Sequence, residues 1–204
     1  MIHGSPCDKM EAIKIIKMTT LRKKSELSRA GHQEIQGETI AKFEFFDNNF
    51  NPYSRYLDVD KVDLILRKRK GKKIHYIEVQ VKYGKLYKCG PKWEINAGFD
   101  YTSWRFFKLD EFKDHHDKFY VAYVMSPDEG YKGDIFIFPS KKFHQLINLA
   151  PVNNTKKGKK AKMCIAHHRN TNRWFLWKTL NFKRISINNV VDVTKYRRNF
   201  DFKV

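Results

Sequence analysis

Two apolar runs joined by a basic turn constrain this chain more than any other feature. Val59 to Leu66 alternates and then becomes continuously apolar, Lys70-Gly71-Lys72 reads as a turn, and Ile74 to Lys82 alternates again. The pattern predicts a β-hairpin. Side chains alternate along a strand, so Ile77, Val79 and Val81 face one way while Glu78, Gln80 and Lys82 face the other. Three polar groups in file are costly to bury unless they are solvated, paired or bound to an ion. An edge strand with one wet face accounts for them equally well. Asp63 tips the balance, because a carboxylate inside Val62-Asp63-Leu64-Ile65-Leu66 has no ordinary packing use, and the hairpin brings it to the polar file.

The rest of the chain supplies a setting for that hairpin. Gly31 to Phe46 reads as an amphipathic helix with Ile35, Ile40, Phe43 and Phe46 at helical spacing, Glu34 and Glu38 one turn apart, and Asp47-Asn48-Asn49 as its exit. Phe119 to Met125 and Asp134 to Phe138 read as strands joined through Pro127-Asp128-Glu129-Gly130. Ser140 to Leu149 reads as a helix capped by Ser140. Asn153 to Lys162, with five lysines, reads as a mobile basic loop, Arg173 to Lys178 as a strand, and Ser186 to Asn199 as a C-terminal helix. With 204 residues the chain suffices for one domain with a substantial core. The expected division is an N-terminal extension, 1–30, and a single domain, 31–204, of α/β class.

Lysine and arginine number 41 against 22 acidic residues, a formal net charge of +19. Such a field attracts polyanions, and nucleic acid is the expected partner. Apolar runs are far shorter than the ~20 residues of a membrane helix, so no membrane span is expected. Cys7, Cys89 and Cys164 are odd in number and lack any C-x-x-C spacing, which argues against a disulfide framework and a structural zinc. A cytoplasmic location fits this usage. His115-His116 and His167-His168 diverge whether on a strand or a helix and read as loop residues, and His75 reads as structural.

An acidic residue facing an oxygen ligand and an ammonium suits phosphodiester hydrolysis by a hard divalent ion. Magnesium takes one or two carboxylates, keeps several waters and lowers the pKa of a bound water. Asp63 supplies the charge, the Gln80 carbonyl a neutral oxygen, Lys82 a cation for the attacking water or the transition state, and Glu38 an extra carboxylate. The expected metal set is Asp63, Gln80 and Glu38, with Mg2+ (or Mn2+) as cofactor.

The runs Val62-Asp63-Leu64-Ile65-Leu66 and Ile77-Glu78-Val79-Gln80-Val81-Lys82 resemble the PD-(D/E)xK nuclease signature in its Q-x-K variant, as in restriction-like homing endonucleases of group I introns. Gly37-Glu38-Thr39-Ile40-Ala41 resembles the glutamate-bearing first helix of that superfamily, and Ile135-Phe136-Ile137-Phe138-Pro139-Ser140 its later strand-to-helix passage. The resemblance spans about Gly31 to Leu149 and implies a restriction-endonuclease-like mixed central sheet flanked by helices. It implies hydrolysis of DNA to a 3′-hydroxyl and a 5′-phosphate. Val62 stands where proline is usual, and Gln80 where an acid is usual. A register in which Glu78 is the acid and Gln80 takes the lysine position stays open. So do a catalytically silent DNA-binding module of the same fold and an RNA-binding protein. A double-strand cutter with one site per chain implies a homodimer or higher oligomer, with Ile187, Val190, Val191 and Tyr196 as candidate contacts.

Phosphate contacts are expected from Lys85, Lys88 and Lys92 after the polar strand and from Lys156, Lys157, Lys159 and Lys160 in the basic loop. Tyr83, Tyr87, Trp93, Phe99, Tyr101, Trp104, Phe106 and Phe107 interleave with Lys85, Lys88, Lys92, Arg105 and Lys108. These aromatics either build core or stack on unpaired bases.

Overall fold

A computed structural model describes residues 31–54, 61–112, 116–155, 158–179 and 189–202. Contacts divide the chain into a unit ending at Gln36 and a unit running from Gly37 to Val204. The boundary falls within the first helix, α1 (31–47), whose residues from 37 onward belong to the larger unit.

The larger unit is of mixed α/β class and mostly antiparallel. After α1 come β1 (Asn51–Ser54), β2 (Leu64–Lys70) and β3 (Lys73–Lys88), then a short helix α2 (Lys92–Asn96) and β4 (Phe99–Lys108). There follow β5 (Phe119–Ser126), β6 (Asp134–Pro139), α3 (Ser140–Leu149), β7 (Val152–Thr155), β8 (Gly158–His168), β9 (Arg173–Trp177) and β10 (Val190–Asp192). A 3-10 turn at Thr194–Tyr196 completes the series. The sixteen-residue β3 organises the sheet. It pairs antiparallel with β2 through Lys70↔Lys73 and Leu64↔Val79, and parallel with β5 through Glu78↔Phe119 and Lys85↔Ser126. Its last residues, Leu86 to Lys88, pair with β4, which passes the sheet on to β8, β9 and β10.

One strand with two sets of neighbours makes two leaves. On the leaf of β1, β2, β3, β5 and β6, one face carries Leu64, Leu66, Ile77, Val79, Val81, Ala122, Val124, Ile135 and Ile137, and α1 packs there through Ala41 and Phe45. The other face carries Phe119, Val121, Tyr123, Met125, Phe136 and Phe138. These share a cluster with Phe143, Leu146 and Ile147 of α3 and with Phe107, Ala161, Met163, Ile165, Trp174 and Leu176 of the second leaf. A third cluster, Cys89, Phe99, Cys164, Ala166, Phe175 and Trp177, lies on the outer face of the second leaf beneath Trp93 of α2. Phe99 joins that outer cluster because the β4–β8 register shifts between Phe99 and Tyr101, which reverses alternation there.

The hairpin, the strands at 119 and 134 and the helix at 140 agree with the sequence reading. Four local readings are corrected. On α1 the buried stripe is Gly37, Ala41, Glu44 and Phe45, whereas Ile35, Phe43 and Phe46 are 65%, 66% and 66% exposed. Small residues win because the helix lies close: a Cβ on Gly37 would stand 3.0 Å from the Tyr83 Cβ. Ser140 does not cap α3; Pro139 is the cap residue, and the Ser140 Oγ is buried without a hydrogen-bond partner. Within the expected loop at 153–162, residues 153–155 and 158–162 instead belong to the paired strands β7 and β8, because Ala161, Met163 and Ile165 recur at period two and enter the core; Lys156 and Lys157 lie outside the described residues. The expected helix at 186–199 is instead β10 and the 3-10 turn, in which Val191 and Tyr196 pack on the central cluster. Ser186 to Asn188 lie outside the described residues.

Candidate functional site

Hairpin geometry decides what Asp63 can meet. Leu64 pairs with Val79, so extending the register by one residue sets Asp63 opposite Gln80. Two hydrogen bonds hold it there: the Asp63 N–H donates to the Val79 carbonyl at 3.0 Å, and the Val81 N–H donates to Asp63 Oδ2 at 2.6 Å. The carboxylate thereby takes the place of a backbone acceptor at the mouth of the ladder. Leu64 and Leu66 face α1, and Ile65 packs on the opposite cluster. Alternation therefore puts Asp63, Gln80 and Lys82 on the face away from α1.

Gln80 is 5% exposed, and its Oε1 is buried without a hydrogen-bond partner. An acceptor left so costs about 1–3 kcal/mol unless a ligand or water satisfies it. Two residues on, Lys82 Nζ lies 3.3 Å from Glu111 Oε1, with the two side chains 14% and 16% exposed. Glu111 comes from the turn after β4, and its other oxygen accepts the Lys108 N–H at 3.3 Å. No local pattern marks Glu111; only the return of the chain brings it to Lys82. Beneath the site, Gly84 leaves space for the Tyr123 hydroxyl, which hydrogen-bonds Ser103 Oγ at 3.1 Å. Burial pushes the Tyr123 phenol up to about 12.

Glu78, the alternative acid, meets a different partner. Its Oε2 lies 2.9 Å from His116 Nε2, and the Lys118 N–H donates to His116 Nδ1 at 3.1 Å, so Nε2 is the nitrogen that donates to Glu78. His116 is thus part of this surface rather than an idle loop residue. A groove of about 610 Å³ opens here, lined by Tyr53, Arg67, Tyr76, Glu78, His116 and Lys118. It begins two pairs along the hairpin from Asp63 and Gln80, since Leu64 pairs with Val79 and Ile65 with Glu78.

Glu38 comes from a different element. It is half-buried on α1, which packs on the face opposite Gln80 and Lys82, next to the Gly37–Tyr83 contact. Lys85 pairs with Asp128 at 2.7 Å, Lys88 and Lys92 are exposed, Lys159 is exposed and Lys160 half-buried on β8. Lys156, Lys157 and His115 lie outside the described residues. His167 and His168 close β8 rather than lying in a loop. His167 Nδ1 lies 2.7 Å from Asp100, and the His168 ring packs edge-on against Phe99.

For a divalent ion, the fit rests on Asp63 and Gln80. Among the described residues no group of three or more His, Cys, Asp or Glu side chains is placed to hold a metal. One carboxylate with one neutral oxygen is nevertheless a donor set that magnesium accepts, with water and phosphate completing it. The orphaned Gln80 Oε1 is the acceptor such an ion would satisfy. Among the described residues no helix is long and apolar enough to cross a membrane. No family model, curated protein or solved structure matches this chain.

Proposed function

We propose that this protein is a Mg2+-dependent endonuclease that hydrolyses DNA through Asp63, Gln80 and Lys82, with a fold of the restriction-endonuclease kind. The observation that carries the reading is the buried, unpaired Gln80 Oε1 set opposite Asp63 and two residues before a sequestered lysine. The mixed sheet with α1 on one face and α3 on the other is compatible with the PD-(D/E)xK resemblance. The Q-x-K register is favoured because Lys82 shares a face with Gln80 and is held by Glu111, whereas Glu78 is engaged by His116.

A bound magnesium ion would supply an activated water and neutralise charge on the scissile phosphate. Asp63 and Gln80 would hold the ion. Lys82 would place its ammonium beside the developing charge, with Glu111 fixing its direction. Tyr53, Tyr76, Arg67 and Lys118 line the adjoining groove, where a phosphate backbone would run. Glu38 is left as a residue for mutagenesis.

Plasmid cleavage tests the proposal. Supercoiled DNA is expected to be cut with Mg2+ or Mn2+ and left intact in EDTA. Asp63→Ala should lose cleavage by at least about a hundredfold, the order of a removed metal or transition-state contact, while still binding DNA. Wild-type cleavage by Asp63→Ala would refute the site. Binding by the wild type without cleavage would favour the silent module. Cleaving both strands further requires two sites. We propose a homodimer, which sedimentation combined with a nicking time course would check: a strict monomer that only nicks rules it out.

A further inference from the structure

Among the described residues, the outer face of the second leaf is covered at one end only. Trp93 of α2 packs over Trp177, with ring centroids 5.6 Å apart, above the Cys89, Phe99 and Phe175 cluster. Farther along the same strands Trp104, Phe106 and Tyr87 are 43%, 38% and 40% exposed. They share that face because Phe107, Ala161 and Met163 point inward, which leaves Trp104, Phe106 and Lys108 of β4 outward with Lys160 and Lys162 of β8. Register sets Phe106 beside Lys162, Lys108 beside Lys160, and Tyr87 beside Thr102. Lys162 Nζ stands 4.8 Å from the Trp104 ring centre and Lys85 Nζ 5.3 Å from that of Tyr87.

We propose that this face is a binding platform for single-stranded DNA, on which unpaired bases stack against Trp104, Phe106 and Tyr87 while Lys108, Lys160 and Lys162 hold the phosphates. Charge complementarity selects the occupant: the buried core of a protein interface is depleted in lysine, whereas here lysines alternate with the rings. Single strands are selected over duplex because only unpaired bases expose their faces to the rings. The Trp104 and Phe106 rings lie 5.8 Å apart and nearly perpendicular, at 78°, so they offer faces in different directions and each takes a base of its own rather than sharing one continuous stack, an arrangement open to a flexible single strand. The choice of DNA rests on the nuclease reading; the platform itself does not.

The test uses the full chain in EDTA, so that binding is read without cleavage. A fluorescently labelled oligodeoxythymidine reports affinity by anisotropy, and tryptophan emission reports stacking, since Trp174 and Trp177 are buried and Trp93 is half-buried against Trp177, whereas Trp104 is exposed. Oligodeoxythymidine is expected to bind more tightly than a duplex of equal length and to quench emission. Trp104→Phe should retain most of the affinity and lose most of the quenching, which also guards against a variant that merely unfolds. Trp104→Ala with Phe106→Ala should weaken binding about tenfold or more, and Lys160→Ala with Lys162→Ala should flatten the salt dependence. Equal or tighter duplex binding, or unchanged affinity in the aromatic double variant, overturns the platform. Preference for oligouridine overturns the assignment to DNA. Single-strand binding in a protein that never cuts plasmid would sink the nuclease reading and leave the platform standing.

Discussion

Gly84 shows how one residue can shape the neighbourhood of the candidate site. It lies two positions beyond Lys82, and a Cβ there would stand 2.2 Å from the Tyr123 hydroxyl and 2.5 Å from Ser103 Oγ. Both groups are buried and bonded to each other, so neither can swing into solvent. Gly84→Ala is therefore expected to destabilise by about 1–3 kcal/mol, the usual cost of overpacking. Adding Tyr123→Phe, which removes the nearest atom, should recover part of that loss. Urea unfolding of the single and double variants checks this, and a Gly84→Ala protein as stable as wild type would contradict the packing. At the same scale, Asp63, Gln80 and Lys82 were legible because polar side chains interrupt an apolar pattern. Glu111 was not, since its pairing with Lys82 joins a turn to a strand and leaves no mark in either.

Among the elements, α3 illustrates how a helix start can mislead. Serine at the head of an apolar-periodic segment reads as an N-cap, yet here Pro139 occupies the cap and Ser140 is the first helical residue. Its hydroxyl is 1% exposed as a residue and lacks a partner. Replacing a true capping serine by alanine costs about 1 kcal/mol. Ser140→Ala should instead be neutral or stabilise slightly, because it removes an unsatisfied buried polar group. A loss of about 1 kcal/mol or more in thermal or chemical unfolding would restore the capping role. The β7–β8 hairpin errs the other way. Lysines at 156, 157, 159, 160 and 162 suggested a loop, but alternation from Ala161 onward anchors the strand, and lysines are tolerated on its outward side.

For the whole molecule, the deep packing of the two leaves predicts a response to alkali. Burial pushes the Cys164 thiol from 9.0 up to about 12, and burial likewise raises the Tyr123 phenol from 10.0 to about 12. Both groups hold their protons more tightly folded than unfolded. Above about pH 9 the unfolded chain therefore binds fewer protons than the folded one, and unfolding becomes easier as pH rises. Stability from these groups should be intact below about pH 9 and lost progressively towards pH 12. Cys164→Ala should flatten the early part of that decline after allowing for its own packing cost. Burial also raises the Cys89 thiol, so neither thiol should react with an aromatic disulfide reagent in the native protein near pH 8. Rapid native reaction of either would show that the leaves open.

Local pattern was enough for the α/β class, the central hairpin, β5, β6 and the position of α3, because periodicity of burial is written residue by residue. It was enough, too, to single out Asp63, Gln80 and Lys82 as chemically unusual. Only tertiary structure decided that β3 runs on to Lys88 and serves two leaves, that α1 buries Gly37, Ala41 and Phe45 rather than Phe43 and Phe46, and that Val190 to Asp192 pair with β9. It also decided which aromatics form core and which are exposed: Phe99 and Phe107 are buried, Trp104 and Phe106 are not. The physical reason is common to all of these. Which face of an element is buried depends on what arrives from distant parts of the chain, and a β-bulge, a glycine contact or a returning turn reverses a pattern that the local residues alone leave undetermined.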